Sequence, residues 1–307
     1  MLTGWRPSPA LTYPSLGSVA AREAGPSLDL PSYIAIPAEI PYSGAGYLTA
    51  AFEPFAVGLN PSRPDFRVKD LDPDVAPERF ERRRRMLEDV DGLARRVEAS
   101  AAHDANLAQA YRLLASKEAR SAFDLSRERP EIRERYRHTT IGQSCLLARQ
   151  LAEAGVEFIS VNDDGWDNHQ NIFRTLSTGF PGKLPALDRA YAALLRDLDE
   201  RGLLATTLVI LMGDFGRTPK LNSAGGRDHW PRASSLVLAG GGIKRGWVYG
   251  ESDASGELPL EDPVEPEDVA ATVYRCLGID FQKEYRTPLG RPVKVLERGR
   301  PIDAVLA

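Results

Sequence analysis

The sequence predicts an α/β fold, a mostly parallel sheet flanked by helices. Three observations carry this reading. Val156–Val161, Thr206–Met212 and Ser235–Ala239 are short runs rich in apolar and β-branched residues, as expected of strands covered on both faces. Segments with helical spacing of apolar residues alternate with these runs, the order expected of a parallel sheet. The 307 residues, 42% hydrophobic and 27% charged, suffice for one large α/β domain or two smaller ones, with a core that needs no covalent staples, and a single domain over 1–307 is the arrangement expected.

Taken in order, residues 1–14 are proline-rich and irregular. Ser15 is a natural N-cap for a short helix running to Ala24, closed by Gly25 and Pro26. Ser32–Ile36 reads as a short buried strand ended by Pro37. Residues 37–75, rich in Gly and Pro, read as a long surface loop. Over 76–99, Phe80, Leu87, Val90, Leu93, Ala94 and Val97 recur at helical spacing, with Pro77 in the first turn. A second helix is expected over 104–121, so that 76–121 forms a helical insertion within the domain. A third runs from Thr140 to Ala154 and stops at Gly155. Beyond strand 156–161, helices are expected over Pro185–Arg201 and Pro266–Leu277. The latter carries Glu267 and Asp268 in its first turn, where the helix dipole favours them.

Composition removes several functions. The net charge of −4 and pI near 5.7 lack the basic footprint of a nucleic-acid binder. The Arg82–Arg85 run is flanked by Glu78, Glu81, Glu88 and Asp89, which makes it a solvated, ion-paired helix face. No stretch approaches the roughly 20 apolar residues of a membrane span. Cys145 and Cys276 sit in apolar, helix-like contexts and read as small buried hydrophobes, with a disulfide between them left open. Ala239–Gly246 lacks both the closing Gly-Lys-Ser/Thr of a phosphate loop and the Gly-x-Gly-x-x-Gly spacing. A Gly-x-Ser-x-Gly elbow is also missing.

Chemistry gathers after two strands. Asn162–His169 packs Asp163, Asp164, Asp167 and His169 into one loop, and Asp214 follows the apolar strand ending at Met212. Arg217 comes next, and Asp228-His229 follows the Gly225-Gly226 turn. Open α/β sheets bind ligands at the carboxyl ends of their strands, so these loops are expected at one edge. Carboxylates and neutral imidazoles are ligands for divalent cations, and Arg217 offers a planar fork for sulfate or phosphate oxygens. Candidate metal ligands are Asp167, His169, Asp214, Asp228 and His229, with Asp163 or Asp164 also open, and candidate catalytic residues are Arg217 and Asp214. The competing assignments are structural: Asp214 capping a turn, Asp164-Gly165 forming one, His229 and Trp230 packing as a pair. His103 and His138 lie in charged helical surroundings and read as surface residues.

The stretches GDFGRTPKLN, GGRDHWP, LAGGGIKRGWVYGESDASGELP, PEDVAATVYRCLGID and LGRPVKVLERGRPI, with DDGWDNH and the opening MLTGWRPSPALTYPSLGSVAARE, resemble the domain-of-unknown-function family 1501, common in planctomycetes. The resemblance spans nearly the whole chain, most specifically over 212–250. It implies membership of the alkaline phosphatase and sulfatase-like superfamily, whose sheet carries two metal positions at its C-terminal edge. Asp167 and His169 are similar to one metal's Asp and His. His229 is similar to the late histidine of that set, and Asp214 to the first residue of the other metal's Asp-His pair. Phe215 stands where catalytic members of the superfamily carry His or Asn.

The resemblance also implies a nucleophile and an export signal upstream of MLTG, so that the chain reads as lacking an N-terminal segment. The function it implies is metal-dependent hydrolysis of sulfate or phosphate esters of small molecules or glycans, in the periplasm or envelope, with a divalent ion (Zn, Ca or Mg). The alternative is a non-catalytic binding protein of the cell envelope that keeps the fold.

Overall fold

The computed structural model describes residues 2–25, 29–68, 71, 79, 82–83, 85–86, 110–174 and 180–307. Helix α1, Leu16–Ala24, starts where Ser15 accepts the Ser18 N–H and ends at Gly25, whose φ of 74° no branched side chain adopts readily. Strand β1, Tyr33–Ile36, is buried at every position. Phe55–Ala56 forms β2, a short strand within the segment expected to be loop. Of the expected insertion, most residues fall outside the described ones; residues 110–115 and α2, Lys117–Ala122, are helical. The Arg82–Arg85 run and His103 lie wholly or partly outside the described residues too.

Helix α3, Pro130–Tyr136, precedes α4, Thr140–Glu153, which begins where Thr139 accepts the Gly142 N–H. Strand β3, Phe158–Val161, then leads toward α5, Phe180–Glu200. Helix α5 starts a turn earlier than expected and holds Pro185 inside it rather than at its start. Strand β4 is Leu208–Met212, followed by the two-residue strands β5, Gly216–Arg217, and β6, His229–Trp230. Strand β7, Leu236–Gly240, precedes the small strands β8, Glu251–Ser252, and β9, Pro259–Glu261. Helix α6, Pro266–Cys276, carries a full capping box between Glu265 and Asp268. The last strands are β10, Glu284–Arg286, and β11, Pro292–Lys294.

The architecture is mixed α/β. A parallel sheet of three strands runs in the order β2-β1-β3, and four separate two-stranded sheets are antiparallel. The expectation of a mostly parallel sheet is corrected here. Strand β4 pairs antiparallel with β7, Leu208 opposite Gly240 through Met212 opposite Leu236. A parallel return needs a crossover, usually a helix, and residues 213–235 hold turns and the β5–β6 pair instead. Strands β3 and β4 are also only half-buried along their length, despite their apolar sequences.

The pleat of β1 and β3 feeds two cores. Ile34, Ile36, Ile159 and Val161 face a cluster with Leu146, Leu147, Leu151, Tyr136 and Ala190 of α3–α5. Phe158, with Leu208 and Ile210 of β4, packs on the other side against Val19 of α1 and Ala270 and Tyr274 of α6. Gly17 lets α1 approach this face, since a Cβ there would sit 2.6 Å from the Tyr33 ring. The two cysteines are free thiols, Cys145 buried and Cys276 partly so. His138 is exposed, as the sequence predicts, beside Glu134 at 3.6 Å. Among the described residues no helix is long and apolar enough to cross a membrane.

Candidate metal centre

The loops leaving β3 and β4 are locked together by their backbones. Asn171 N–H donates to Ala224 O at 3.0 Å, Ile172 N–H to Gly225 O at 2.8 Å, and Arg227 N–H to Asn168 O at 3.0 Å. Gly226 lies at the closest approach. A Cβ there would stand 2.0 Å from the carbonyl carbon of His169 and 2.2 Å from Gln170 N, both backbone atoms that cannot rotate away. Gly226→Ala is therefore expected to push the loops apart and to weaken binding of any divalent cation held between them by about tenfold or more. An isotherm matching the unsubstituted chain would contradict that lock.

This clamp brings Asp167, His169 and His229 together. His169 Nε2 lies 3.1 Å from His229 Nε2 and 3.0 Å from Asp167 Oδ1, and His229 Nε2 lies 3.0 Å from the same oxygen. One ligand atom from each of the three residues falls within 4.8 Å of the others. Ligands at roughly 2.1 Å from an ion stand roughly 3.0 Å apart at right angles and roughly 3.4 Å at tetrahedral angles, so the donor set fits a first-row divalent cation with little opening. The side chains are 44% (His169), 46% (His229) and 56% (Asp167) exposed, which leaves room for further ligands on the solvent side.

Charge is arranged around the triad. Asp228 Oδ1 meets His169 Nδ1 at 2.8 Å, on the ring atom away from the cluster. That hydrogen bond, with the Asp167 charge, raises the His169 pKa above the ordinary imidazole value, and Asp228 is lowered in turn by His169 and Asn222. The guanidinium of Arg217 sits on Asp167 Oδ1, and this contact foremost holds the Asp167 carboxyl down at about 2. The Phe215 ring packs against His229 with centroids 4.3 Å apart, and Arg217 lies 5.5 Å from the Phe215 centroid. Phe215 thus forms one wall of the site.

The remaining candidates lie elsewhere. Asp214 is exposed and its Oδ1 accepts the Phe215 N–H at 2.9 Å, a local turn contact outside the triad. Asp163 accepts from Lys183 Nζ at 2.7 Å and from Trp166 Nε1 at 2.8 Å. Asp164 is exposed. Asp228 supports a triad member rather than joining the converging atoms. Arg217 faces a carboxylate here instead of open space. Asn222, unmarked in the sequence reading, donates to both His169 O and Asp228 Oδ1; its one signal is an Asn ahead of a Gly-Gly turn.

No curated protein and no solved structure matches the chain. A family model described as "Protein of unknown function (DUF1501)" matches residues 1–306, and the chain belongs to that family.

Proposed function

We propose that the chain binds a divalent cation through Asp167, His169 and His229 and serves in hydrolysis of sulfate or phosphate esters. The convergence of one carboxylate and two imidazole nitrogens at 3.0–3.1 Å carries the reading. Two imidazoles favour zinc and similar first-row ions over calcium or magnesium, which take oxygen ligands. A cation bound there would polarise an ester oxygen and acidify bound water.

The chain's own groups then have distinct tasks. Asp228 accepts from His169 Nδ1, which leaves Nε2 its lone pair. Arg217, ion-paired to Asp167, has a planar fork that suits the anionic oxygens of an ester. Phe215 shields one side of His229 from water. Assignment to the alkaline phosphatase and sulfatase-like superfamily belongs to this same reading. The test is release of nitrophenol from para-nitrophenyl sulfate and phosphate by zinc-loaded protein. Zinc-dependent turnover lost in His169→Ala supports the reading, and equal rates in the two proteins refute it.

A second reading has its own observation. Among the described residues, no Ser, Thr or Cys side chain hydrogen-bonds to the triad. A non-catalytic binding protein for sulfated or phosphorylated ligands would use the same cation without a nucleophile. It predicts zinc binding with no turnover of either ester.

Metal uptake should depend on pH with a definite sign. A proton on His169 competes with the cation, and its raised pKa starts that competition above the usual imidazole range. Asp167, held at about 2, stays ionised throughout. Affinity is expected to be flat at alkaline pH and to fall as pH drops through the His169 pKa, by about tenfold per pH unit for each proton displaced. Titrations at stepped pH check it; affinity that rises on acidification would refute it.

A further inference from the structure

The side chain of Asn222 is placed by two backbone donors. Its Oδ1 accepts from Ala224 N–H at 3.0 Å and Gly226 N–H at 2.9 Å. Those two contacts fix which end of the amide is oxygen, so Nδ2 must point the other way. There Nδ2 donates to His169 O at 2.9 Å and to Asp228 Oδ1 at 3.0 Å. The Asn222 backbone also closes the turn, its N–H donating to Gly226 O and its carbonyl accepting from Gly225. One residue therefore holds the turn that precedes Asp228 and His229, the main chain of His169, and the carboxylate that meets His169 Nδ1.

Asp228 is half-exposed, and water competes for its oxygens. A second donor is what keeps Oδ1 aimed at the imidazole. We propose that Asn222 is the positioning residue of the cation site, acting through Asp228 to hold neutral His169 as the Nδ1–H tautomer against the competing Asp167 carboxylate, 3.0 Å from Nε2, so that the Nε2 lone pair is available to a cation. The ligand class is that of the proposed site, a borderline divalent cation such as zinc, and the inference rests on that reading. Outer contacts of this type typically contribute 10–100-fold to metal affinity, on the order of the effect expected here.

Two substitutions separate the roles. Asn222→Ala removes acceptor and donor together. Asn222→Asp keeps an oxygen for the Ala224 and Gly226 N–H groups but removes the donor to Asp228. The full chain, labelled with nitrogen-15 and free of added metal, is studied at alkaline pH. Long-range proton–nitrogen spectra then read the His169 tautomer. The unsubstituted chain should show His169 as Nδ1–H, and both variants should lose that signature. Zinc isotherms of both variants should weaken by about 10–100-fold.

An Nε2–H tautomer in the unsubstituted chain, or His169 remaining Nδ1–H in Asn222→Asp, overturns the positioning role, whatever happens to thermal stability. If the tautomer shifts as expected but the unsubstituted chain takes up no zinc, the positioning role stands and the cation reading falls. If zinc binds tightly and neither variant changes tautomer or affinity, the cation reading stands and the positioning role falls.

Discussion

His169→Ala is expected to abolish the proposed zinc binding, with a loss larger than the roughly 10–100-fold typical of outer contacts. The substitution removes one of three converging donor atoms and leaves Asp228 Oδ1 with Asn222 Nδ2 as its remaining side-chain donor. Fold stability should change little, because the imidazole is 44% exposed and makes no core contact. Binding isotherms and thermal melts on the same samples separate the two effects. Unchanged zinc affinity would remove His169 from the site, and a collapse of stability would make it structural.

Arg149→Ala is the largest expected stability effect, about 3–5 kcal/mol. Arg149 on α4 is 2% exposed and pairs with Glu128, Glu153 and Asp197. Its Nε lies 2.9 Å from Asp197 Oδ2 without the alignment of a hydrogen bond, so that contact is an ion pair. Asp197 on α5 is itself 3% exposed and also meets Tyr136 OH at 3.1 Å and Arg201 Nε at 2.9 Å. Removing the guanidinium leaves a buried carboxylate with a reduced countercharge, and that penalty dominates the loss. Urea unfolding measures it. A loss under about 1 kcal/mol would place the network among surface pairs. Because the partners share one network, Arg149→Ala with Asp197→Ala should cost less than the two losses added.

Much of this organisation is legible from residues alone. Ser15 and Gly25 bracket α1, and Pro266, Glu267 and Asp268 mark the first turn of α6, because caps are local chemistry. Two loops after two apolar strands, crowded with Asp, His and Arg, point to one edge of the molecule. Strand direction is not local. The run Leu236–Gly240 has the same apolar character whether it pairs parallel or antiparallel, and its direction follows from the absence of a helix in residues 213–235.

The roles of individual acids are not local either. Asp214 and Asp228 look equivalent along the chain, yet one caps its neighbour's amide and the other supports His169. Asn222 is nearly silent in sequence because its link to His169 is tertiary, a contact to a carbonyl 53 positions away. Phe215 stands at the edge of the site in both views. The structure adds that its ring packs on His229.

The most direct measurement is metal content of the full chain purified without chelators, then equilibrated with zinc and dialysed. A site of this kind predicts about one equivalent retained per chain, lost in His169→Ala and in His229→Ala. Retention below about a tenth of an equivalent by the unsubstituted chain, or equal retention by all three proteins, would contradict a cation site at Asp167, His169 and His229.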